Sequence, residues 1–153
     1  MRDIDPNRIL VGLDGSGASI DALRVGVALA EALFTPLDTV TVWDYPSTVG
    51  GLSPFAQWTP EKDARRIVKE AVEEVFGGKP PEYFTHRLIQ GAATRVLLHE
   101  THKASMLVMG SRGRGGVAGL LLGSVSMACA EHAHCPVLIM HGPADAVRAA
   151  NAG

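Results

Sequence analysis

Six of the 14 positions from Gly110 to Gly123 are glycine: Gly110, Gly113, Gly115, Gly116, Gly119 and Gly123. Average usage would place about one there. Arg112 and Arg114 lie in the same stretch, and no acidic residue occurs from Gly110 to Ala130, so the segment carries a local positive field. Without Cβ atoms, successive backbone N–H groups can converge on an anion. A helix opening at Gly123-Ser124 would add free N–H groups, the positive end of its dipole and the Ser124 hydroxyl. These residue types suit phosphate. The competing reading of a glycine-rich stretch is a flexible connector. A free linker, however, would leave Leu120, Leu121 and Leu122 in solvent. The segment also runs from a strand end to a helix start, where α/β folds place ligands.

Other nucleotide and catalytic signatures fit less well. GxxxxGK[ST] is absent, because Gly78-Lys79 continues into Pro80. Gly113 to Ala118 matches G-x-G-x-x-A, but a further glycine and the leucine run precede the helix, and no acid ends a following strand about 20 residues on. G-x-S-x-G is also missing, which leaves no hydrolase nucleophile elbow. Cys129, His132, His134 and Cys135 place four soft-metal ligands within seven residues. Structural zinc sites use two separated ligand pairs, whereas this stretch is helix-like and runs straight into Pro136-Val137. It reads as two buried small thiols and two exposed histidines, with no metal.

The elements that must hold these residues follow from the apolar pattern. Ile9 to Leu13 is a short buried strand closed by Asp14-Gly15-Ser16-Gly17. Ile20, Leu23, Val27, Ala30 and Phe34 form the apolar face of a helix capped by Ser16 or Ser19 and ending near Thr35-Pro36. Val40 to Trp43 marks a second strand, and Tyr45 to Thr59 a surface loop or lid. Thr59-Pro60 opens a second helix, faced by Ala64, Ile67, Val68, Ala71 and Val75 and stopped by Gly77-Gly78. Glu61/Arg65 and Arg66/Glu70 are i,i+4 ion pairs on it. Strands over Phe84–Ile89, Ser105–Met109 and Val137–Met140 alternate with helices over Ala93–His102 and Gly123–His132. Alternating, near-continuous apolar strands and helices predict an α/β fold with a parallel sheet covered on both faces. One domain over residues 8–142 is expected, with loose tails at 1–7 and 143–153.

Composition agrees. The chain has 153 residues, 46% hydrophobic and 20% charged, with a formal net charge of −2. That excludes disorder and gives no basic excess for nucleic acid. Met1 to Asn7 carries Asp3 and Asp5, and no stretch approaches the run of about 18 apolar residues that a spanning helix needs. A cytosolic protein without membrane contact is expected.

Gly110-x-x-Gly113, nine residues, then Gly123-Ser124 reproduces the G-2x-G-9x-G-[ST] motif of the ATP-binding branch of the universal stress protein family. The opening ILVGLDGS, the segment GSRGRGGVAGLLLGSVS and the closing CPVLIM also resemble that family, over about residues 8–141. The branch that does not bind nucleotide lacks this glycine spacing. The resemblance implies a five-stranded parallel sheet in the order 3-2-1-4-5 with helices on both faces, a Rossmann-like arrangement. It implies ATP as cofactor, any accompanying Mg²⁺ being carried by the phosphates. Asp14 matches an acidic residue beside the nucleoside; a turn aspartate also bonds its own backbone, and the two roles are compatible. Val42 matches the position whose backbone reads the adenine edge. Gly110 and Gly113 match the ribose and phosphate loop, and Gly123, Ser124 and Val125 the phosphate-cradling helix start. Arg112 and Arg114 can either reach phosphates or remain solvated.

The function implied is an ATP-binding regulatory module of the stress response, with protein partners the sequence does not name. An ATP-consuming enzyme is the rival. Fast phosphoryl transfer needs metal ligands and a base or lysine, and the glycine segment has no carboxylate and no lysine, so at most slow hydrolysis is expected. A nucleotide-independent dimeric interaction protein is a third class. The last strand, Val137 to Met140, has no charge or internal proline to blunt a sheet edge, and a homodimer through it is expected.

Overall fold

Strand β1, Ile9–Gly12, is the centre on which everything else is laid. Its Ile9, Leu10 and Val11 are buried whichever face they point to, as a strand covered on both sides requires. The computed structural model describes residues 6–46, 59–113 and 122–142. After β1 the chain forms α1 (Gly17–Leu33), β2 (Leu37–Trp43), α2 (Pro60–Phe76) and β3 (Phe84–Gln90). It continues as α3 (Ala93–Glu100), a single 3-10 turn (Thr101–Lys103), β4 (Met106–Gly110), α4 (Ser124–His132) and β5 (Val137–Met140). The five strands form one sheet in the order β3-β2-β1-β4-β5. All four pairings are parallel.

The chain first winds outward from β1 through β2 to β3, then crosses to β4 on the other side of β1. Helices α1 and α2 therefore cover one face, packing on Ile9, Val11, Leu13, Leu37 and Val108. Helices α3 and α4 cover the other, over Leu10, Val40, Leu107 and Met109. Alternate residues of β1 and β4 thus feed two separate cores, the period-two rule applied to a doubly covered sheet.

Caps set the helix starts. The Ser16 Oγ accepts from the Ser19 N–H at 3.2 Å, and the Thr59 Oγ1 from the Lys62 N–H at 3.2 Å, with Pro60 in the first turn of α2. Both expected ion pairs of α2 form, Arg65 to Glu61 at 2.8 Å and Arg66 to Glu70 at 3.1 Å.

Three expectations are corrected. Phe34 does not extend the apolar face of α1: it is the residue at which the helix stops, left-handed at φ 53 and ψ 46, and 96% exposed. Its N–H closes on the Ala30 and Glu31 carbonyls, and the chain must turn there because Pro36 disfavours helix at Thr35. Second, α3 ends at Glu100 and tightens into the 3-10 turn, so His102 lies outside it. Third, Cys129 is buried as expected but Cys135 is only half-buried. Residues 1–5 of the expected 1–7 tail, the expected tail at 143–153, most of the 45–59 loop, and Arg114, Leu120 and Leu121 lie outside the described residues.

Toward the amino ends of β1 and β2 the interior holds charges that the apolar pattern gives no hint of. The Arg8 side chain, 3% exposed, donates to Asp38 Oδ2 at 2.6 Å, Glu100 Oε2 at 2.8 Å and the Lys103 carbonyl at 2.8 Å. Asp38, 5% exposed, also accepts from Arg87 Nε and Nη2 and from Thr85 Oγ1. Arg87 bonds Glu100 as well. Two guanidinium groups and two carboxylates make the cluster neutral, which is the condition for keeping such groups out of water. Burial would raise the Glu100 carboxyl, but hydrogen bonds from Arg87 and Arg8 outweigh it and hold that group below the usual carboxylate range. The network ties α3 to the first three strands.

Candidate functional site

The crossover that reverses direction at β1 leaves a gap between the chain segments leaving β1 and β4. There, at the carboxyl ends of the strands, a cavity of about 430 Å³ opens. All eight residues anticipated from the sequence line it: Asp14, Val42, Gly110, Arg112, Gly113, Gly123, Ser124 and Val125. They arrive from three parts of the chain, six of them from the end of β4 to the first turn of α4. Asp14 follows β1, Val42 sits near the end of β2, Gly110 ends β4, and Gly123 is the cap of α4.

Asp14 is held as a turn residue and as part of the wall at once. Its Oδ1 accepts from the Ser16 N–H at 2.9 Å, and its own N–H donates to Ser19 Oγ at 3.3 Å. The backbone role weighed from the sequence is therefore realised, with the carboxylate bordering the cavity.

The three glycines of the motif differ in what a side chain would meet. A Cβ on Gly110 would come within 2.8 Å of the Ala18 Cβ and 3.1 Å of the Ala18 carbonyl carbon, so β4 and the first turn of α1 need that close approach. On Gly113 it would come to 2.5 Å from Asp14 Oδ2, so a side chain there would displace the carboxylate. On Gly123 the nearest described protein atom would be the Arg112 Cα at 3.5 Å, an ordinary contact. Packing alone does not demand glycine at position 123, and its bareness leaves the helix start open to the cavity.

That helix start is also free of side-chain caps. Gly123 caps α4 with backbone only: its N–H donates to the Ser111 carbonyl at 2.7 Å and its carbonyl accepts from the Met127 N–H at 2.9 Å. Ser126, the first-turn hydroxyl that points inward, is committed to the Ser111 carbonyl at 2.5 Å. The cap residue itself contributes no side-chain hydrogen bond to the first turn, and Gly123, Ser124 and Val125 border the cavity with the positive end of the helix dipole.

The cavity also has an apolar part to its wall. Val40, Leu97 and Met109 form a greasy floor, and Ala93 begins α3 beside it. Sequence reasoning missed these residues, together with Ser16 and Ser19, because an apolar residue under a ligand has the same period as one under a helix. Ser16 and Ser19 did carry a signal, as cap candidates directly after Asp14. Among the described lining residues Asp14 is the sole carboxylate and none is lysine.

The cysteine–histidine segment builds no site of its own. Among the described residues no group of three or more His, Cys, Asp and Glu is placed to hold a metal. His134 instead stacks on His102, ring centroids 3.5 Å apart. Burial raises both thiols, on Cys129 with help from Cys135, which keeps them protonated at neutral pH. No helix among the described residues is long and apolar enough to cross a membrane.

Comparison with known proteins places this architecture. Among curated proteins, universal stress protein Rv2624c of Mycobacterium tuberculosis is 34% identical over 139 residues, 90% of this chain and 49% of its own length. Universal stress protein Rv2623 of the same organism is 31% identical over 132 residues, 86% of this chain and 44% of its own. The chain thus spans about half the length of these relatives. A crystal structure of a universal stress protein in complex with cAMP is 27% identical, covering 89% of this chain and 97% of its own, with a TM-score of 0.65. The pattern of the Universal stress protein family matches residues 6–141, a span that takes in all five strands, the four α-helices and every residue lining the cavity. With sheet order, glycine spacing and matched length in agreement, this chain belongs to the universal stress protein family.

Proposed function

We propose that the chain binds an adenine nucleotide, with ATP as the ligand, and acts as a regulatory module of the stress response. One observation carries this reading: the eight residues line a single cavity together with the apolar Val40, Leu97 and Met109 and the start of α4, whose cap residue is glycine. The greasy floor suits a purine, and the backbone at Val42 can read its edge. The Asp14 carboxylate can accept from ribose or base donors. Phosphates would lie at Gly113, Gly123 and Ser124, where N–H groups and the helix dipole favour negative charge. Arg112 lines the same cavity. The relative holding cAMP supports an adenine nucleotide here.

Bound nucleotide would bias conformation or partner choice and would not be turned over quickly. The lining offers one carboxylate and no lysine, so neither a pair of metal ligands nor a γ-phosphate clamp is assembled from these residues. Any Mg²⁺ would ride on the phosphates. Denaturing purified protein and weighing the released small molecules tests the reading, followed by calorimetric titration with ATP, ADP and AMP. The expected result is an adenine nucleotide in stoichiometric amount or saturable binding with ATP tightest. Neither release nor binding heat with any of the three would refute it.

The same reading includes a homodimer through β5, a cytosolic location, and the loose tails outside residues 8–142. Among the described strands β5 pairs with β4 alone, and Leu138 on it is 37% exposed. A twofold copy would satisfy the open row of backbone groups. Light scattering on a chain ending at Gly142 is expected to give a dimer; monomers with and without the tail would refute strand pairing.

A further inference from the structure

Gly113 is glycine for a reason that lies outside its own backbone. Its φ falls outside the left-handed region that favours glycine, so the chain could follow the same path with a Cβ there. Among the described residues that Cβ would meet Asp14 alone, with Oδ2 at 2.5 Å and Cγ at 3.8 Å. The two cannot share the space. At Gly110 the obstacle includes the backbone of α1, but at Gly113 it is the far end of a side chain, so the adjustment costs little stability and moves the carboxylate.

Asp14 is otherwise held in place. Gly15, left-handed at φ 85, turns the chain directly after it, and Oδ1 accepts from the Ser16 N–H at 2.9 Å. The Asp14 N–H donates to Ser19 Oγ at 3.3 Å, and the residue has further contacts besides these. One carboxylate oxygen is thus pinned to the start of α1 while the other stands where a side chain at position 113 would be. With Oδ1 fixed, Oδ2 can yield only by a turn of the carboxylate or a longer bond to Ser16. Asp14 also borders a second cavity, of about 300 Å³, between the end of β2 and the first turns of α2, so such a turn has room.

We infer that Gly113 is a positioning residue for Asp14: its missing side chain is the space in which the carboxylate stands to meet the nucleoside half of a nucleotide. The loop after β4 thereby sets the aim of a group that follows β1, and the glycine serves nucleoside recognition as well as phosphate approach. This rests on the adenine-nucleotide reading and deepens it.

Adenosine separates the two roles, because it has no phosphate for a Cβ at position 113 to obstruct. Gly113→Ala should keep its thermal midpoint within about 2 °C and yet bind adenosine about tenfold more weakly, the factor that one hydrogen bond to a charged group is worth. Asp14→Ala should lose at least as much, and Gly113→Ala/Asp14→Ala should bind no more weakly than Asp14→Ala alone, since the second change has no carboxylate left to displace. In nucleotide-free Gly113→Ala the carboxyl carbon of Asp14 and the amide of Ser16 should both shift by NMR. Full adenosine affinity in Gly113→Ala, additive losses in the double variant, or unmoved Asp14 and Ser16 resonances would each overturn the inference. Natural protein that binds neither adenosine nor ATP would overturn the nucleotide reading and this role with it, so failure of the reading shows in the natural protein and failure of the inference alone shows only in the variants.

Discussion

Replacing Asp38 by alanine tests whether the charge cluster under the sheet is truly dry. The substitution removes the acceptor of four hydrogen bonds, from Arg8 Nη1 at 2.6 Å, Arg87 Nε at 2.9 Å, Arg87 Nη2 at 2.6 Å and Thr85 Oγ1 at 2.9 Å. Two guanidinium groups then share the single carboxylate of Glu100. Arg87 is 28% exposed and can regain water, but Arg8, at 3%, cannot. Stranding one buried charge costs about 3–5 kcal/mol. Arg8 keeps Glu100 and the Lys103 carbonyl, which puts the expectation near the lower end, about 3 kcal/mol. For a domain of this size that lowers the thermal midpoint by about 6–12 °C. Calorimetry on Asp38→Ala reads it directly. The double variant Arg8→Met/Asp38→Ala, which removes charge of both signs, should recover part of the loss. A midpoint within about 2 °C of the natural protein would refute the reasoning, because it would mean that water already reaches these groups.

Four further outcomes follow from the same geometry. Glu100 has a lowered folded pKa, so the unfolded chain takes up its proton first as pH falls; its contribution is complete above the unfolded value of about 4.3 and is lost as pH drops toward the folded one, and Glu100→Gln should flatten that acid limb in pH-resolved melts. Gly123→Val should weaken ATP binding with the fold intact, whereas Gly110→Ala should cost about 1–3 kcal/mol of stability because its Cβ meets the backbone of α1; titration and denaturant melts separate the two. Asp14→Ala should lower adenosine and ATP affinity by a similar factor, and a loss confined to ATP would move Asp14 to the phosphates. Phe34→Gly should raise stability by about 1 kcal/mol, since glycine takes the left-handed cap without strain and the exposed ring gives up almost no packing.

The ends of the strands and the glycine motif were legible from the sequence for a shared physical reason. A buried parallel strand is an apolar run closed by turn residues, as ILVGL before Asp14 and SMLVM before Gly110 show. A phosphate loop likewise needs glycines at fixed spacing. What stayed hidden depends on contacts between distant residues. Nothing local distinguishes Arg8, Asp38, Arg87 and Glu100 from solvated charges until β1, β2, β3 and α3 are side by side. Phe34 sat in helical register with Ala30, and only the turn forced before Pro36 expels it. Leu97 and Val40 look like any core pair, although they also floor a cavity.

The switch at β1 has a consequence for how the protein comes into being. One wall of the first cavity comes from residues 12–42 and the facing wall from residues 109–126. They meet only when β1 pairs with β4, Ile9 against Met106, a ladder that closes a loop of about 100 residues. A chain emerging from the ribosome therefore cannot have the complete cavity until the segment that holds β4 and α4 has been made and docked on β1. Whatever fills the cavity binds only the finished molecule, and mass action then holds the two halves of the sheet together. Occupancy would act as a latch on the seam that closes last, so that spontaneous opening between β1 and β4 slows as the ligand becomes abundant.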